Sequence, residues 1–385
     1  MMSLINFLKP SLQISQSEKK NERSPLFDVL KIVAMSYVVI GHVLQRWYLV
    51  GFTETFGFTF FYSVSLSLFF FVGGYFVTRC RTFSELLKYL AKLVLSYLVP
   101  AFLFTCLSIW LLPRFADHDF AFWMGELYYR TDTFYWFFLT AFFLNAALAI
   151  FQYLAYLFLK EKSLLNDVLS TVFMTISLLL FSSIFIYIYN APDLGPGTLS
   201  ANMFLYYLPI TFMGFLVQTF GKHLENWRYI NFLRVGLFIG ALILYSLALW
   251  RYSNWLDGLN GSFNDISRRS IGSLAGVITY FYLSMFIQRF AIIQKVSRYA
   301  KYSGPFYLVH VFLIRLLASY LLRPTVFDSS AMLFIILLTI GFYFGALLMT
   351  ILLVEFPLTD FLLFGNLKSM KKMFTLFKQN RQVSN

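Results

Sequence analysis

Ten long apolar runs are the feature that most constrains how this chain can fold. Most of them reach about 18 to 24 residues, which is enough for a helix to cross a hydrocarbon layer of about 30 Å. The runs lie at residues 26–48, 56–78, 93–112, 135–159, 168–189, 203–220, 234–251, 271–288, 303–322 and 331–354. Only 13% of the 385 residues are charged, about half the usual share in a soluble domain. We therefore predict an all-α integral membrane protein, a bundle of about ten transmembrane helices.

Basic residues are distributed unevenly over the segments that connect these runs. The segments after the second, fourth, sixth and eighth runs are rich in Lys and Arg, whereas residues 190–202 contain neither, and residues 113–134 balance their arginines with acids. Loops on the cytoplasmic side of a membrane carry the excess of Lys and Arg. The pattern predicts that both termini are cytoplasmic, with a polar leader at 1–24, one membrane domain at 25–356 and a basic tail at 357–385.

The net charge of +13 does not indicate nucleic-acid binding, because the basic residues lie between apolar runs and form no basic face interleaved with aromatics. The chain has two cysteines, Cys80 in a basic loop and Cys106 inside an apolar run. This arrangement indicates neither a disulfide framework nor a metal cluster. The lipid bilayer is the first partner that the sequence predicts.

Ionisable residues inside apolar runs are costly and therefore are candidates for function. Lys31 and His42 lie eleven residues apart on the first predicted helix, which places them within about 20° of one face and about 16 Å apart along the axis. A neutral imidazole can accept a hydroxyl proton and release it later. Lys31 has an alternative role as an ion-pair partner of Asp28, and His42 as a packing histidine.

The ninth run contains a second group of such residues. Tyr307 and His310 share a helix face, and Arg315 follows toward the exterior. A buried histidine beside a tyrosine can orient an acceptor or stabilise developing charge; the alternative is a structural hydrogen bond between the two. In the second run, the adjacent glycines Gly73 and Gly74 permit close approach of either another helix or a ligand. Helix packing is the commoner reason for glycines in such a run.

Four segments, in order, resemble motifs of the acyltransferase 3 family of bacterial multi-pass membrane acyltransferases. The basic residue Lys31 followed after ten residues by His42 is similar to the opening motif of that family. The stretch 69–75 resembles a Phe-rich segment, the stretch 135–141 around Trp136 a Trp-Phe-Leu segment, and 307–310 a late Tyr-x-x-His. Two positions depart from the pattern: Lys31 stands where many members have arginine, and Gly73 where serine is usual.

The resemblance implies a ten-helix enzyme of the bacterial cytoplasmic membrane that uses cytoplasmic acyl-CoA to modify cell-envelope glycans. We accordingly expect an O-acyltransferase, most simply an O-acetyltransferase, with acetyl-CoA as donor substrate, no tightly bound cofactor, and a polysaccharide or lipid-linked glycan as acceptor. The chain could also work within a glycan-synthesis complex. The alternative function is a transporter or flippase of glycan precursors, with a structural partner protein as a third possibility.

These expectations assign roles to ten residues. His42 is the expected base, supported by His310 and Tyr307. The donor acyl-CoA is expected to contact Lys31, Gly73, Gly74 and Tyr75. The acceptor is expected to contact Arg46, Arg315 and Trp136.

Overall fold

The computed structural model describes residues 24–47, 55–111, 119, 121–123, 136–159, 163–191, 198–225, 230–252, 255, 262–318, 321, 329–366, 368–369 and 375. Every regular element within these ranges is a helix. In chain order the helices are α1 Pro25–Trp47, α2 Phe56–Tyr75, α3 Phe83–Leu93, α4 Val99–Leu111, α5 Trp136–Phe158, α6 Leu164–Asn190, α7 Ala201–Glu225, α8 Ile230–Arg251, α9 Phe263–Ile287, α10 Ala291–Ser297, α11 Ser303–Ala318, α12 Ser329–Glu355 and α13 Pro357–Phe364. The all-helical fold predicted from the sequence is thus confirmed for the described part of the chain.

Within these ranges, nine helical segments are long and apolar enough to cross a membrane, and α3 and α4 count as one of them. The remaining predicted run, 303–322, forms α11, which has 16 described residues. A helix of that length rises about 24 Å, less than the thickness of the hydrocarbon layer. The cytoplasmic position of the termini stays a prediction, and the leader before Ser24 and most of the tail lie outside the described residues.

Caps place several helix ends outside the apolar runs. Helix α9 begins at Phe263 because Ser262 and Asp265 form a capping box, in which each side chain accepts a backbone N–H of the other residue. Helix α6 begins at Leu164 after Ser163, whose hydroxyl accepts from the backbone N–H of Asn166 at 3.1 Å. Both helices therefore start several residues before the apolar run that predicted them.

A π-helical turn, Val94–Leu98, joins α3 to α4 immediately before Pro100. Proline lacks a backbone N–H and its ring crowds the preceding turn, so a helix that continues through it must change its hydrogen bonding locally. Here the change takes the form of the π-helical turn. Helix α13, in the predicted tail, packs against α4 and α12 and ends at Gly365, whose φ of 65° is left-handed.

The helices divide into an inner group and an outer group. In the apolar stretch of 18 residues within α9, 67% of the residues are buried, whereas in that of α6 only 22% are buried. The outer helices α6, α8 and α12 expose large apolar side chains such as Leu180, Trp250 and Leu337. Exposed apolar surface of this extent is typical of a protein that faces lipid.

Helix α2 packs extensively against both α1 and α7 and stands near the centre of the bundle. A polar network ties α1, α7 and α9 together across it. The Tyr206 hydroxyl accepts a hydrogen bond from Trp255 Nε1 at 2.8 Å and also bonds Ser273, while the hydroxyls of Tyr37 and Tyr280 lie 2.8 Å apart. Hydrogen bonds between helices in an apolar environment stabilise such a bundle by about 1 kcal/mol each.

Candidate active site

His42 lies in the second half of α1 and is partly exposed within the bundle. Its Nδ1 lies 3.2 Å from Oε1 of Gln45, one turn further along the helix. An amide oxygen only accepts, so in this arrangement Nδ1 carries the proton and donates it. Nε2 of the neutral ring then has a free lone pair, which is the atom that a general base uses.

His310 is fully buried near the middle of α11. Its Nδ1 lies 3.0 Å from the backbone carbonyl oxygen of Phe306, which can only accept, so Nδ1 carries the proton here too. Nε2 is a buried acceptor with no hydrogen-bond partner among the described residues. Such an atom costs roughly 1–3 kcal/mol unless a water or a ligand satisfies it.

The packing of α11 against α1 brings these two histidines together. The centroids of the His42 and His310 rings lie 5.5 Å apart, with 43° between the ring planes. The residues are 268 positions apart in the sequence, so their proximity is a property of the fold. The site therefore presents two imidazoles, each with Nε2 in the form that accepts a proton.

Two arginines lie near this pair. Arg46 follows His42 by one turn on α1, and Arg315 follows His310 on α11. Both lie within electrostatic range of His42, and Arg315 also lies within range of His310. The end of the site beyond the imidazoles is therefore positively charged, which favours negative charge on a bound molecule or on a reacting oxygen.

Aromatic rings form the wall beside the imidazoles. Tyr307 meets the His310 ring edge-on, with centroids 5.2 Å apart, and stacks on Phe137 at 4.6 Å. Trp136, the first residue of α5, stacks on Tyr207 at 6.0 Å, with 18° between the planes. The structure thus places Tyr307 directly at the histidine pair, and Trp136 in the same aromatic cluster on the neighbouring helix.

Lys31 lies at the opposite end of α1 from His42. Its Nζ is 3.9 Å from a carboxylate oxygen of Asp28 and 5.5 Å from the centroid of the Phe76 ring. The ion pair predicted as the alternative is therefore present, and it leaves the Lys31 side chain 26% exposed. The ring centroid of Tyr75, the last residue of α2, lies 4.1 Å from that of Phe27 in α1, with 34° between the ring planes, so Tyr75 borders the same end of the site.

The two adjacent glycines of α2 have different surroundings. A Cβ built on Gly74 would lie 1.8 Å from the carbonyl oxygen of Thr211 in α7, so Gly74 lies at a close helix crossing, as in the packing alternative given above. A Cβ on Gly73 would lie 3.6 Å from the Asn145 side chain, which is an ordinary contact. Of the two glycines, only Gly73 can accept a Cβ without a clash.

Three residues of the site were not predicted from the sequence. Gln45 and the Phe306 carbonyl fix the tautomers of the two histidines, and buried Asn145 faces Gly73. Asn145 is a polar residue in the middle of an apolar run, which is a signal that could have identified it. The partners of a histidine ring give no comparable signal, because they depend on side-chain conformation.

A family model for an acyltransferase domain, that of the acyltransferase 3 family, matches residues 25–354. The match spans all the helices from α1 to α11 and nearly all of α12, and it includes both histidines. Neither a search of curated proteins nor one of solved structures found a match. The chain belongs to the acyltransferase 3 family and is a multi-pass membrane acyltransferase.

Proposed function

We propose that the protein is an O-acyltransferase of the bacterial cytoplasmic membrane, which transfers an acyl group, most simply acetyl, from cytoplasmic acyl-CoA to a hydroxyl of a cell-envelope or exported polysaccharide. The observation that carries this proposal is the histidine pair: two imidazoles with 5.5 Å between ring centroids, each holding its proton on Nδ1. Acyl transfer to a hydroxyl needs a base at the attacking oxygen, and both free Nε2 atoms can act as one.

In the proposed reaction, Nε2 of His42 removes the proton of the acceptor hydroxyl as its oxygen attacks the thioester carbonyl carbon. The new C–O bond gives a tetrahedral oxyanion, which the positive charges of Arg46 and Arg315 stabilise. Collapse of the oxyanion breaks the C–S bond, and the proton held on His42 passes to the departing sulfur. The products are the acylated sugar and free CoA.

Nε2 of His310 has a separate role in this proposal. Sugars carry hydroxyls on neighbouring carbons, so one hydroxyl can donate to His42 while a neighbouring one donates to His310. This second bond satisfies the buried acceptor of His310 and orients the sugar. The aromatic wall around Tyr307 and Trp136 supplies flat apolar surface beside the ring.

Lys31 marks the proposed donor side. An acyl-CoA that enters from the cytoplasm carries its phosphates at one end and its thioester at the other. Lys31 lies about 16 Å from His42 along the axis of α1, and an extended pantetheine chain is of that order of length. The phosphates then stay near the polar end of α1 while the thioester reaches the imidazoles.

The test distinguishes chemistry from transport. Inverted membrane vesicles that contain the protein are incubated with radiolabelled acetyl-CoA and a glycan acceptor, and mass spectrometry compares surface glycans of cells with and without the gene. The proposal predicts label in the glycan and a mass difference of one acyl group. If glycan crosses the membrane while the label stays in CoA, the protein is a transporter; if neither occurs, it is a structural partner.

A further inference from the structure

The segment that joins α9 to α11 consists of α10 and a 3-10 helical turn, Arg298–Tyr302. It follows the end of α9 at which Phe281 meets Phe27, near the start of α1. Both α10 and the turn pack against α1, and the turn leads directly into α11. From the sequence, the basic residues of this segment indicated only the cytoplasmic side of the membrane. Their arrangement in the structure gives them a second role.

One side of this segment exposes apolar side chains. Ile292, Val296 and Tyr299 follow one another at spacings of four and three residues, which places them in one stripe. Ile292 is 66% exposed, and Phe290, just before α10, is 49% exposed. Ala300 is buried, so another side of the segment packs on the bundle. An apolar stripe on a short segment at the end of a membrane bundle is typical of contact with acyl chains.

A cavity of about 570 Å³ opens beside the apolar stripe. Lys295, Arg298 and Lys301 line it at intervals of three residues, together with Tyr299 and Tyr302. Side chains three residues apart lie on the same side of a helical turn, so the three cations share one space. Among the described residues that line this cavity, none is acidic.

The ligand that fits this surface is anionic at one end and apolar at the other. Nζ of Lys301 lies 4.5 Å from the centroid of the buried Tyr302 ring, which holds that ammonium group at the cavity. Ammonium and guanidinium groups form strong, charge-assisted hydrogen bonds to phosphate. An anionic phospholipid combines such a phosphate with acyl chains that can lie along Ile292 and Val296. A soluble phosphate would use the cations alone.

We infer that the segment from α10 to Tyr302 binds an anionic phospholipid, with its phosphate among Lys295, Arg298 and Lys301 and an acyl chain along the apolar stripe. This inference goes beyond the proposed function, because lipid binding needs no acyl transfer. The segment packs on α1 and continues into α11, the two helices that carry the histidine pair. The bound lipid therefore ties the polar ends of both helices to the membrane surface.

The test is native mass spectrometry of the purified full-length protein released from phosphatidylcholine nanodiscs that contain increasing fractions of phosphatidylglycerol. The parent protein should retain phosphatidylglycerol in preference to the zwitterionic lipid. In Lys295→Gln/Lys301→Gln, the apparent affinity for phosphatidylglycerol should fall about tenfold or more, because each cation near an anionic headgroup adds to binding. Lys295→Arg/Lys301→Arg keeps both charges and should retain the lipid. The matched control Arg251→Gln/Arg268→Gln removes two exposed cations outside the cavity and should retain it as well.

Equal retention by the Lys295→Gln/Lys301→Gln variant and the parent would overturn the inference. Equal loss in that variant and in the matched control would overturn it too, because net charge alone would then explain binding. Displacement of the lipid by inorganic phosphate or desulfo-CoA would assign the cavity to a soluble anion and contradict a lipid site.

A second measurement needs no variant and decides the question if the double glutamine variant does not fold. Lysines of the parent protein are acylated with an amine reagent in nanodiscs with and without phosphatidylglycerol, and peptide mass spectrometry gives the extent of reaction at each position. The anionic lipid should protect Lys295 and Lys301 more than the exposed Lys368, which lies outside the cavity. Equal protection of all three would contradict the proposed site.

Discussion

Replacing Gly74 by alanine should destabilise the bundle, whereas the same replacement at the adjacent Gly73 should not. A Cβ on Gly74 would lie 1.8 Å from the Thr211 carbonyl oxygen, and a Cβ on Gly214 would lie 2.0 Å from that of Phe71. The obstacle is backbone in both cases, so no side chain can rotate away. An ordinary contact of 3.4 Å requires α2 and α7 to separate by about 1.6 Å at Gly74.

The magnitude follows from two opposing terms. Overpacking a well-packed interface costs about 1–3 kcal/mol, while alanine in place of glycine in a helix contributes about 1 kcal/mol of stability. The expected net effect of Gly74→Ala is a loss of up to roughly 2 kcal/mol, because the obstructing backbone cannot move aside. Gly73→Ala meets only the Asn145 side chain at 3.6 Å, so it should keep the propensity gain and be neutral or slightly stabilising.

The assay is the fraction of monodisperse protein that remains after a graded heat challenge in detergent, measured by size-exclusion chromatography. Gly214→Ala should resemble Gly74→Ala, because it affects the same crossing. Gly221→Ala, with nothing within 4 Å of its added Cβ, is the matched control in α7. If Gly74→Ala withstands heat as well as the parent protein, the close crossing of α2 and α7 is incorrect. If Gly73→Ala keeps its stability but raises KM for the donor, the predicted donor contact of Gly73 gains support.

Three further predictions follow from the site and the core. His310→Ala should lower kcat/KM about tenfold to a hundredfold without loss of folded protein, because it removes an orienting acceptor; rates equal to the parent's would contradict its role. Lys31→Arg should retain transfer because the cation is kept, while Lys31→Gln should raise KM for acetyl-CoA, and steady-state kinetics of both variants checks this. Tyr206→Phe removes the acceptor of the Trp255 N–H and should destabilise the fold by about 1–2 kcal/mol, measured by the same heat challenge with unchanged KM in the surviving protein.

The apolar runs predicted the spans well because both depend on one quantity, the length of apolar sequence. They predicted the helix ends poorly because a helix ends at a cap, and caps are polar residues outside the membrane core. Helix α9, for example, begins at Phe263, next to the Ser262–Asp265 capping box, eight residues before the predicted run. Similarly, α3 begins ten residues before the predicted span at 93–112. Thr82 caps this helix, because its side chain accepts the backbone N–H of Glu85.

The candidate site was predictable where a residue is costly in an apolar run, as for His42, His310 and Arg315. Their proximity was not predictable from spacing, because it depends on how α11 packs against α1.

The most direct measurement of the central claim is the initial rate of acetyl transfer from labelled acetyl-CoA to extracted envelope glycan by purified His42→Ala protein in nanodiscs. Ser246→Ala, which removes an exposed hydroxyl from the peripheral helix α8, is the control for insertion and purification. Loss of a general base predicts a rate at least about a hundredfold lower for His42→Ala, with the control equal to the parent protein. A His42→Ala rate equal to that of the control would contradict the account.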